Sequence, residues 1–506
     1  MATTREIAFP RVSAAAGICW PAAHTRKSGA PKMSSMLASI GAAALFATYA
    51  TVTTGKPPSP GSILGLLYVA GVLCAAGKPS ASSTALSSLA LVAAAGAQAT
   101  VRPATSATEM CGGAAAGVAL ILLRQLVGNT ALLAAGLDGK LRPLLITLLP
   151  TKLVVLIYSA SRSTYMGALA AGKYGPFNGA HHPVEVLGLR FRNDLGSAAG
   201  MDKDGSLLEW MYRTGAGFAL VGTVLDKPHG GNQWVLGYWN PWLPLPFSGA
   251  GLNSLGLPSK GVAKAMKNIA AFREKWKPVD FPIGVSIMGH PAQSGQEKLD
   301  GVLECVTQAC AQADFIEINE SCPNVAHGHG DSSELEARLS AVLRVRDEAA
   351  AASADKKKVP VLVKLGTLGA DPAATCRLMA KIGVDGLVGL NTQIDYETFY
   401  PAMNKIDISA LETYTGTYKG GLSGPVVLER STSQLAAAAK AIKEEKLPLT
   451  LVHVGGISEP QDVAASRAAG VPLREWYTGL MHAVATVPLD EIYGRMTASS
   501  DEKKSA

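Results

Sequence analysis

Paired cysteines are missing from this sequence of 506 residues. Its seven cysteines are scattered, with no CxxC pair and no run of Cys and His at metal-ligand spacing. Neither a disulfide framework nor a zinc site is therefore indicated, and no bound metal is expected. The sequence also lacks a basic cluster beside aromatic residues, so its formal charge of +7 gives no case for nucleic-acid binding.

Charged residues are few before about residue 160, and this shortage divides the chain. Residues 1–33 carry a single acid, Glu6, against several Arg and Lys, which resembles a mitochondrial or plastid transit peptide. A disordered cytosolic tail is the alternative. We assign the mitochondrial inner membrane as the expected location, with a plastid membrane as the alternative.

Residues 34–161 contain apolar runs, several of them near the roughly 20 residues that cross a bilayer. The runs lie at about 37–54, 61–77, 85–101, 112–135 and 143–161. We predict a membrane region with two to five helices, although the Ala and Gly in these runs favour insertion only weakly. A soluble Ala-rich bundle is the alternative, and it would need charged outer faces that this region lacks.

From residue 183 to 497, apolar strand-like runs alternate with helical patterns, after a connector at 162–182 and before a disordered tail at 498–506. The predicted strands are 196–199, 218–223, 283–287, 315–318, 359–365, 386–390, 449–454 and 473–477. The predicted helices are 206–214, 260–275, 299–312, 333–352, 373–382, 433–445, 461–469 and 481–495. Eight such units predict an α/β fold, a (β/α)8 TIM barrel. An open doubly wound sheet is the alternative, but no glycine fingerprint follows the first strand.

The most informative stretch is DFIEINESCPN at 314–324, where a strand ends in a loop carrying Cys322 between carboxamides. Pro323 disfavours helical backbone at Cys322, so the strand ends there. Catalytic groups of a barrel lie at this end of its strands. A buried structural cysteine is the alternative.

Glycine-rich loops follow the last two predicted strands: Gly455 and Gly456 after the seventh, and Gly479 after the eighth. The second loop opens onto a helix N-terminus, where backbone N–H groups and the helix dipole attract a phosphate dianion. A phosphorylated cofactor is implied, either flavin mononucleotide (FMN) or a sugar phosphate. Lys364, at the end of the fifth strand, could place its ammonium against the part of that cofactor that gains negative charge.

The stretches VLGLRFRNDLGSAAGMDKDG, GTVLDKP, NSLGLPSKG, INESCPN, VPVLVKLG, GVDGLVGLNT, GGLSG, VHVGGI and WYTGL resemble dihydroorotate dehydrogenases, in order and over the whole barrel. The resemblance implies a flavoprotein oxidoreductase that binds FMN and oxidises dihydroorotate to orotate in pyrimidine synthesis. Cys322 would be the catalytic base, and Lys364 would stabilise the reduced flavin. The implied substrate ligands are Lys203, Asn253, Asn319, Asn324, Asn391 and Thr392. The implied FMN contacts are Ala199, Gly200, Lys203, Thr223, Ser286, Asn319, Lys364, Ser423, Gly424, Gly455, Gly456, Tyr477 and Thr478.

The motifs do not agree on a subclass of that family. The first strand resembles the membrane-bound, quinone-reducing class, with Asp194 where that class usually has proline, whereas Cys322, Ser286 and the Asn253 loop resemble the soluble class. A second register would put Ser248 in the slot that we assign to Asn253. Glu320 and the Trp-rich insertion at 234–247 depart from both classes.

Ubiquinone is the favoured electron acceptor, since membrane attachment suits a lipid-soluble acceptor, and fumarate or another soluble acceptor is the alternative. The expected partners are thus dihydroorotate, the acceptor and a lipid bilayer, and a homodimer is left open. Two other hypotheses for the function remain. One is another FMN barrel reductase acting on pyrimidines, and the other is a membrane-anchored scaffold that has lost catalysis.

Overall fold

The computed structural model describes residues 130–497 except for 173, 176, 178–181, 321–331, 355 and 490. Its strands are β1 (Val184–Val186), β2 (Leu189–Phe191), β3 (Leu195–Ser197), β4 (Ala219–Val224), β5 (Trp242–Leu245), β6 (Ala250–Asn253), β7 (Ile283–Ile287), β8 (Phe315–Asn319), β9 (Val361–Leu365), β10 (Gly386–Gly389), β11 (Gly421–Ser423), β12 (Thr450–Val454) and β13 (Leu473–Trp476). Its α-helices are α1 (Thr130–Leu148), α2 (Thr151–Ala171), α3 (Leu208–Thr214), α4 (Val262–Trp276), α5 (Gly295–Cys310), α6 (Ser332–Ala352), α7 (Pro372–Ile382), α8 (Lys405–Tyr418), α9 (Leu428–Glu445), α10 (Pro460–Ala468), α11 (Thr478–Thr486) and α12 (Ile492–Thr497). Short 3₁₀ helices lie at Tyr396–Ala402 and Pro425–Val427.

Eight parallel strands form a nearly closed barrel in the spatial order β3, β13, β12, β10, β9, β8, β7, β4. The barrel closes between β3 and β4. Asp202, in the loop after β3, bridges to Val221 of β4, and the Asp202 carbonyl accepts the Gly222 N–H at 2.7 Å. The TIM-barrel prediction and all eight predicted strands are confirmed. Each strand is an apolar run because both of its faces are covered, one by helices and one by the barrel interior.

The predicted helices are confirmed with one exception. The segment 481–495 is not one helix but two, α11 and α12, with Pro488 between them. Proline has no N–H to donate and its ring clashes with the preceding turn, so a helix does not continue through it.

Apolar side chains fill the amino-terminal half of the barrel interior. Phe191 of the β1–β2 hairpin packs edge-on against Phe218, with ring centroids 5.5 Å apart, and Phe218 contacts Phe315 in the same way at 5.9 Å. Leu362 and Val452 belong to the same cluster. The hairpin thus closes one end of the barrel, and the opposite end is left for polar groups.

A second hydrophobic cluster lies outside the barrel. The antiparallel sheet β5–β6–β11 packs against α1, α2 and α8, burying residues such as Val154, Leu243, Leu252 and Leu411. The Trp-rich insertion supplies β5 to this sheet, while Trp234, Leu236 and Tyr238 at its turn are more than half exposed. The sequence did not predict this sheet.

The helices α1 and α2 belong to the compact unit that runs from Leu126 to the end of the chain. The predicted apolar run at 143–161 is divided between them at Pro150, and α2 continues into the predicted connector. In the part of the chain that the structure describes, no helix has both the length and the apolar character to cross a bilayer. The transit-peptide-like segment, the four earlier apolar runs up to residue 129 and the tail at 498–506 lie outside the described residues.

Candidate active site

A cavity that opens to solvent lies at the carboxyl-terminal ends of the barrel strands. This is the end at which TIM barrels carry their active sites. Its wall brings together most of the residues predicted from the sequence: Ala199, Gly200, Lys203, Thr223, Asn253, Asn319, Lys364, Asn391, Thr392, Ser423, Gly424, Gly455, Gly456, Tyr477 and Thr478.

Cys322 and Asn324 lie in the segment 321–331, outside the described residues, so their roles stay predictions. The residues that lead into that segment are at the cavity. Asn319, the last residue of β8, is in its wall, and the Glu320 N–H donates to the Lys364 carbonyl at 3.1 Å.

Ser286 is fully buried behind the cavity wall, where it joins a chain of hydrogen bonds. Asn319 Nδ2 donates to Thr223 Oγ1 at 3.1 Å, and that oxygen is 3.1 Å from Ser286 Oγ. Ser286 Oγ in turn donates to Glu317 Oε1 at 2.8 Å. The chain fixes the rotamers of Asn319 and Thr223, which themselves face the cavity.

The glycine loops form one side of the cavity. The backbone has positive φ at Gly424, Gly455 and Gly456, and a Cβ on Gly456 would lie 2.5 Å from Leu428 Cα. Only glycine fits such a close approach. Beside these loops α11 begins at Thr478, whose hydroxyl lies 2.8 Å from Ser423 Oγ. The first N–H groups of a helix have no partner within it, so this corner suits a phosphate group.

Lys364 lies on the cavity floor between two carboxylates that the sequence analysis did not single out. Its Nζ is 3.4 Å from Glu475 Oε2 and 3.7 Å from Glu317 Oε2, and all three side chains are almost completely buried. Burial lowers the pKa of Lys364, but the two carboxylates outweigh it and the net direction is upward. Lys364 is therefore a fixed positive charge.

The sequence contains a feature from which these two acids could have been predicted. Each is a charged residue inside an apolar strand, in FIEIN and LREW, at a position that faces the interior. A buried charge is costly unless it is paired. A charged residue within such a strand therefore predicts a partner of opposite charge nearby.

The structure distinguishes the two residues of the open register and pairs the charge of Glu320. Asn253 lines the cavity, whereas Ser248 receives the Asn404 N–H on its Oγ and donates its own N–H to Asp407 Oδ2 at 2.6 Å. The structure thus favours the register that we assigned to Asn253. Glu320 accepts a hydrogen bond from Arg338 of α6 at 2.9 Å, so its charge is paired.

Fold and cavity together define a (β/α)8-barrel enzyme with its site at the carboxyl-terminal face. A family model described as dihydroorotate dehydrogenase matches residues 182–493. The chain belongs to the dihydroorotate dehydrogenase family, and is thus an oxidoreductase.

Curated relatives agree with this assignment. The chain is 32% identical over 303 residues to a protein of Stenotrophomonas maltophilia named dihydroorotate dehydrogenase (quinone), covering 59% of this chain and 79% of that protein. A protein of the same name from Flavobacterium lutescens is 30% identical over 327 residues, covering 64% and 85%. The crystal structure of the Eimeria tenella enzyme has a TM-score of 0.54 at 22% identity, covering 68% of this chain and 95% of that one, and supports the fold.

Proposed function

We propose that this protein oxidises dihydroorotate to orotate with FMN as its cofactor, the redox step of pyrimidine synthesis. The observation that carries the proposal is the convergence of three carboxamides, two lysines and a glycine cradle on one cavity of a member of this family. When bound, FMN would supply the acceptor for the hydride from C6 of the substrate.

The cavity residues fit FMN. The glycine loops and the start of α11 suit its phosphate, and Glu475 Oε1 is a buried polar atom without a hydrogen-bond partner among the described residues. Lys364 places positive charge at the cavity floor, where the polar edge of the ring would lie.

The remaining residues hold and deprotonate the substrate. Asn253, Asn319 and Asn391 each offer a donor and an acceptor to an imide-like edge, and Lys203 can pair with the carboxylate of the substrate. Cys322 would remove the proton from C5. A cysteine thiol in water has a pKa near 8.5, so a thiol can act as a base close to neutral pH.

Cys322→Ala tests the base. We expect turnover to fall by about 10²- to 10⁴-fold, because general-base catalysis contributes that much. Bound FMN and its yellow colour should remain, and loss of flavin with activity would make the residue structural. Cys322→Ser should keep slow activity that rises with pH, because a hydroxyl is a poorer base. Activity equal to wild type would remove the thiol from the mechanism.

We propose a quinone as the electron acceptor, with the protein attached to the mitochondrial inner membrane. The names of the relatives support the quinone. So does the position of α2, where Arg162 donates to Gly200 O at 3.3 Å and lies 3.4 Å from Tyr477 Oη, both at the cavity wall. Exposed leucines along α1 give this helix pair an apolar face: Leu137, Leu141, Leu144 and Leu148.

Anaerobic reduction tests the function and the acceptor together. Dihydroorotate should bleach the flavin of the purified full-length protein, and a ubiquinone analogue should restore its colour faster than fumarate does. Failure of dihydroorotate to bleach a bound flavin would indicate another barrel reductase. Faster reoxidation by fumarate would overturn the quinone, and absence of flavin would favour a scaffold.

A further inference from the structure

The Glu317–Lys364–Glu475 cluster has more acid than base. One ammonium lies between two carboxyl groups in a space where the exposed fractions of the three side chains are 0% to 4%. Two ionised carboxylates would give the cluster a net charge of −1. An uncompensated charge at that depth is unfavourable, and a group in such a position takes up a proton instead.

Each of the two acids has one hydrogen-bonded oxygen. Glu317 Oε1 accepts from the Ser286 hydroxyl and Glu475 Oε2 accepts from Lys364, whereas Glu317 Oε2 and Glu475 Oε1 are buried without a hydrogen-bond partner among the described residues. What distinguishes the two acids is position, because Glu475 lies in the cavity wall and Glu317 lies behind it, so Glu475 is the acid whose proton can reach a ligand.

The surroundings of Glu475 offer it little further positive charge. Its neighbours in the adjacent strands, Gly196 of β3 and Val454 of β12, carry none. The charged residues in the described part of the cavity wall are Glu475, Lys364 and Lys203. Burial and the neighbouring Glu317 raise the pKa of Glu475, and Lys364 opposes them only in part.

We propose that Glu475 is held as a neutral carboxylic acid whose free oxygen faces the cavity and donates a hydrogen bond to the ring of the bound FMN. The identification of FMN as the ligand rests on the proposed function, whereas the protonation of Glu475 does not. Glu475 thereby becomes a cofactor-binding residue in addition to those predicted from the sequence, and the cluster carries no net charge.

Infrared spectroscopy of the full-length protein, with FMN removed, tests the neutral acid. At pH 7 the wild type should show the carbonyl band of a protonated carboxyl group, and Glu475→Gln should lose that intensity. The difference between variants is needed because Asp202 is another fully buried acid, whose pKa burial raises to about 7. Glu320→Gln, at a carboxylate paired with Arg338, is the matched control and should leave the band unchanged.

Glu317→Gln tests whether Glu475 is protonated because Glu317 lies beside it. With one acid left beside Lys364, Glu475 should ionise, and the band intensity assigned to Glu475 should disappear although the residue is still present. A Glu475→Gln variant that keeps the full wild-type intensity, or a wild-type protein without the band, would overturn the neutral acid.

FMN binding tests the contact. Adding FMN to the wild type should shift the carboxyl band, because the hydrogen-bonding state of the acid changes. Glu475→Gln keeps a donor, so its affinity for FMN should stay within about threefold of wild type, whereas Glu475→Leu should lose about tenfold, the value of one hydrogen bond.

An unshifted band, or unchanged affinity in Glu475→Leu, would overturn the contact. If the wild type itself binds no FMN, the proposed function fails, and the infrared result still decides the protonation of Glu475.

Discussion

Each end of the barrel carries a cluster of three charged residues, and the two clusters have opposite composition. All three side chains are buried at the carboxyl-terminal end, whereas Arg467 at the amino-terminal end is 35% exposed. At the carboxyl-terminal end one cation, Lys364, lies between two acids. At the amino-terminal end one acid, Asp194, lies between Arg467 and Arg474. Both clusters are held by residues of barrel strands or of segments next to them.

The amino-terminal cluster is closely hydrogen-bonded. Arg467 donates to both oxygens of Asp194, at 2.5 and 2.7 Å, and Arg474 donates to Asp194 and to the carbonyl of Val471. Both oxygens of the acid are therefore occupied. Asp194 thus supplies the counter-charge of the buried Arg474.

The carboxyl-terminal cluster still has an oxygen that can form a hydrogen bond with a ligand. Glu475 lies in the cavity wall, and its Oε1 has no hydrogen-bond partner among the described residues. Hydrogen bonds to both oxygens of Asp194 indicate a role of that acid in stability, whereas an unsatisfied buried oxygen on a residue of the cavity wall indicates a ligand. The same number of charges thus serves the fold at one end and, under the proposed function, the chemistry at the other.

Asp194→Asn should have the largest effect on stability. It leaves Arg474, which is 0% exposed, without its counter-charge, and breaking a buried pair in this way costs about 3–5 kcal/mol. Urea denaturation measures the loss in the free energy of unfolding. Glu209→Gln, which breaks an exposed pair with Lys275, is the control and should cost at most about 1 kcal/mol. Equal losses in the two variants would show that the buried pair contributes no more to the free energy of unfolding than the exposed pair does.

Lys364→Met should act mainly on catalysis. Removing a preorganised charge from an active site lowers turnover by about 10²- to 10³-fold. The two acids left behind can take up protons, so the fold should survive near pH 6. Steady-state oxidation of dihydroorotate, measured per bound flavin, tests this. Lys381→Met, at an exposed lysine paired with Glu336 on the outer helices, should keep wild-type activity. A Lys364→Met enzyme within threefold of wild type would contradict a role for the ammonium.

The barrel could be predicted from the sequence because each of its strands is an apolar run followed by a polar or glycine-rich end. That pattern also located the cavity wall, from Lys203 to Thr478. The sheet β5–β6–β11 could not be predicted, because its strands are only three or four residues long and contain Pro or Gly. Such segments show no period that distinguishes a strand from a loop.

The acid–lysine cluster escaped prediction for a different reason. Glu317 and Glu475 are 158 residues apart in the chain, and their proximity follows only from the closure of the barrel. The sequence shows each as an isolated charge in an apolar strand. What makes them a site is the shared contact with Lys364, a property of the folded chain.

The smallest expected effect concerns the pH dependence of stability, to which the two clusters should contribute differently. Burial and Glu317 raise the pKa of Glu475 from 4.5 to about 8, so the folded state holds a proton that the unfolded chain releases near pH 4.5. For an acid with a raised pKa, stability falls as pH rises from about 4.5 towards about 8 and then levels off. The glutamine of Glu475→Gln cannot titrate, so the variant should gain stability relative to wild type across that interval.

The amino-terminal cluster should add no such slope through its arginines. Burial lowers the pKa of Arg474 only to about 10, above the interval in which Glu475 titrates. Thermal unfolding of wild type and Glu475→Gln from pH 5 to pH 9, without FMN, measures the difference. If the two melting temperatures stay parallel over the whole range, Glu475 does not titrate there, and the contrast between the two ends of the barrel reduces to hydrogen bonding alone.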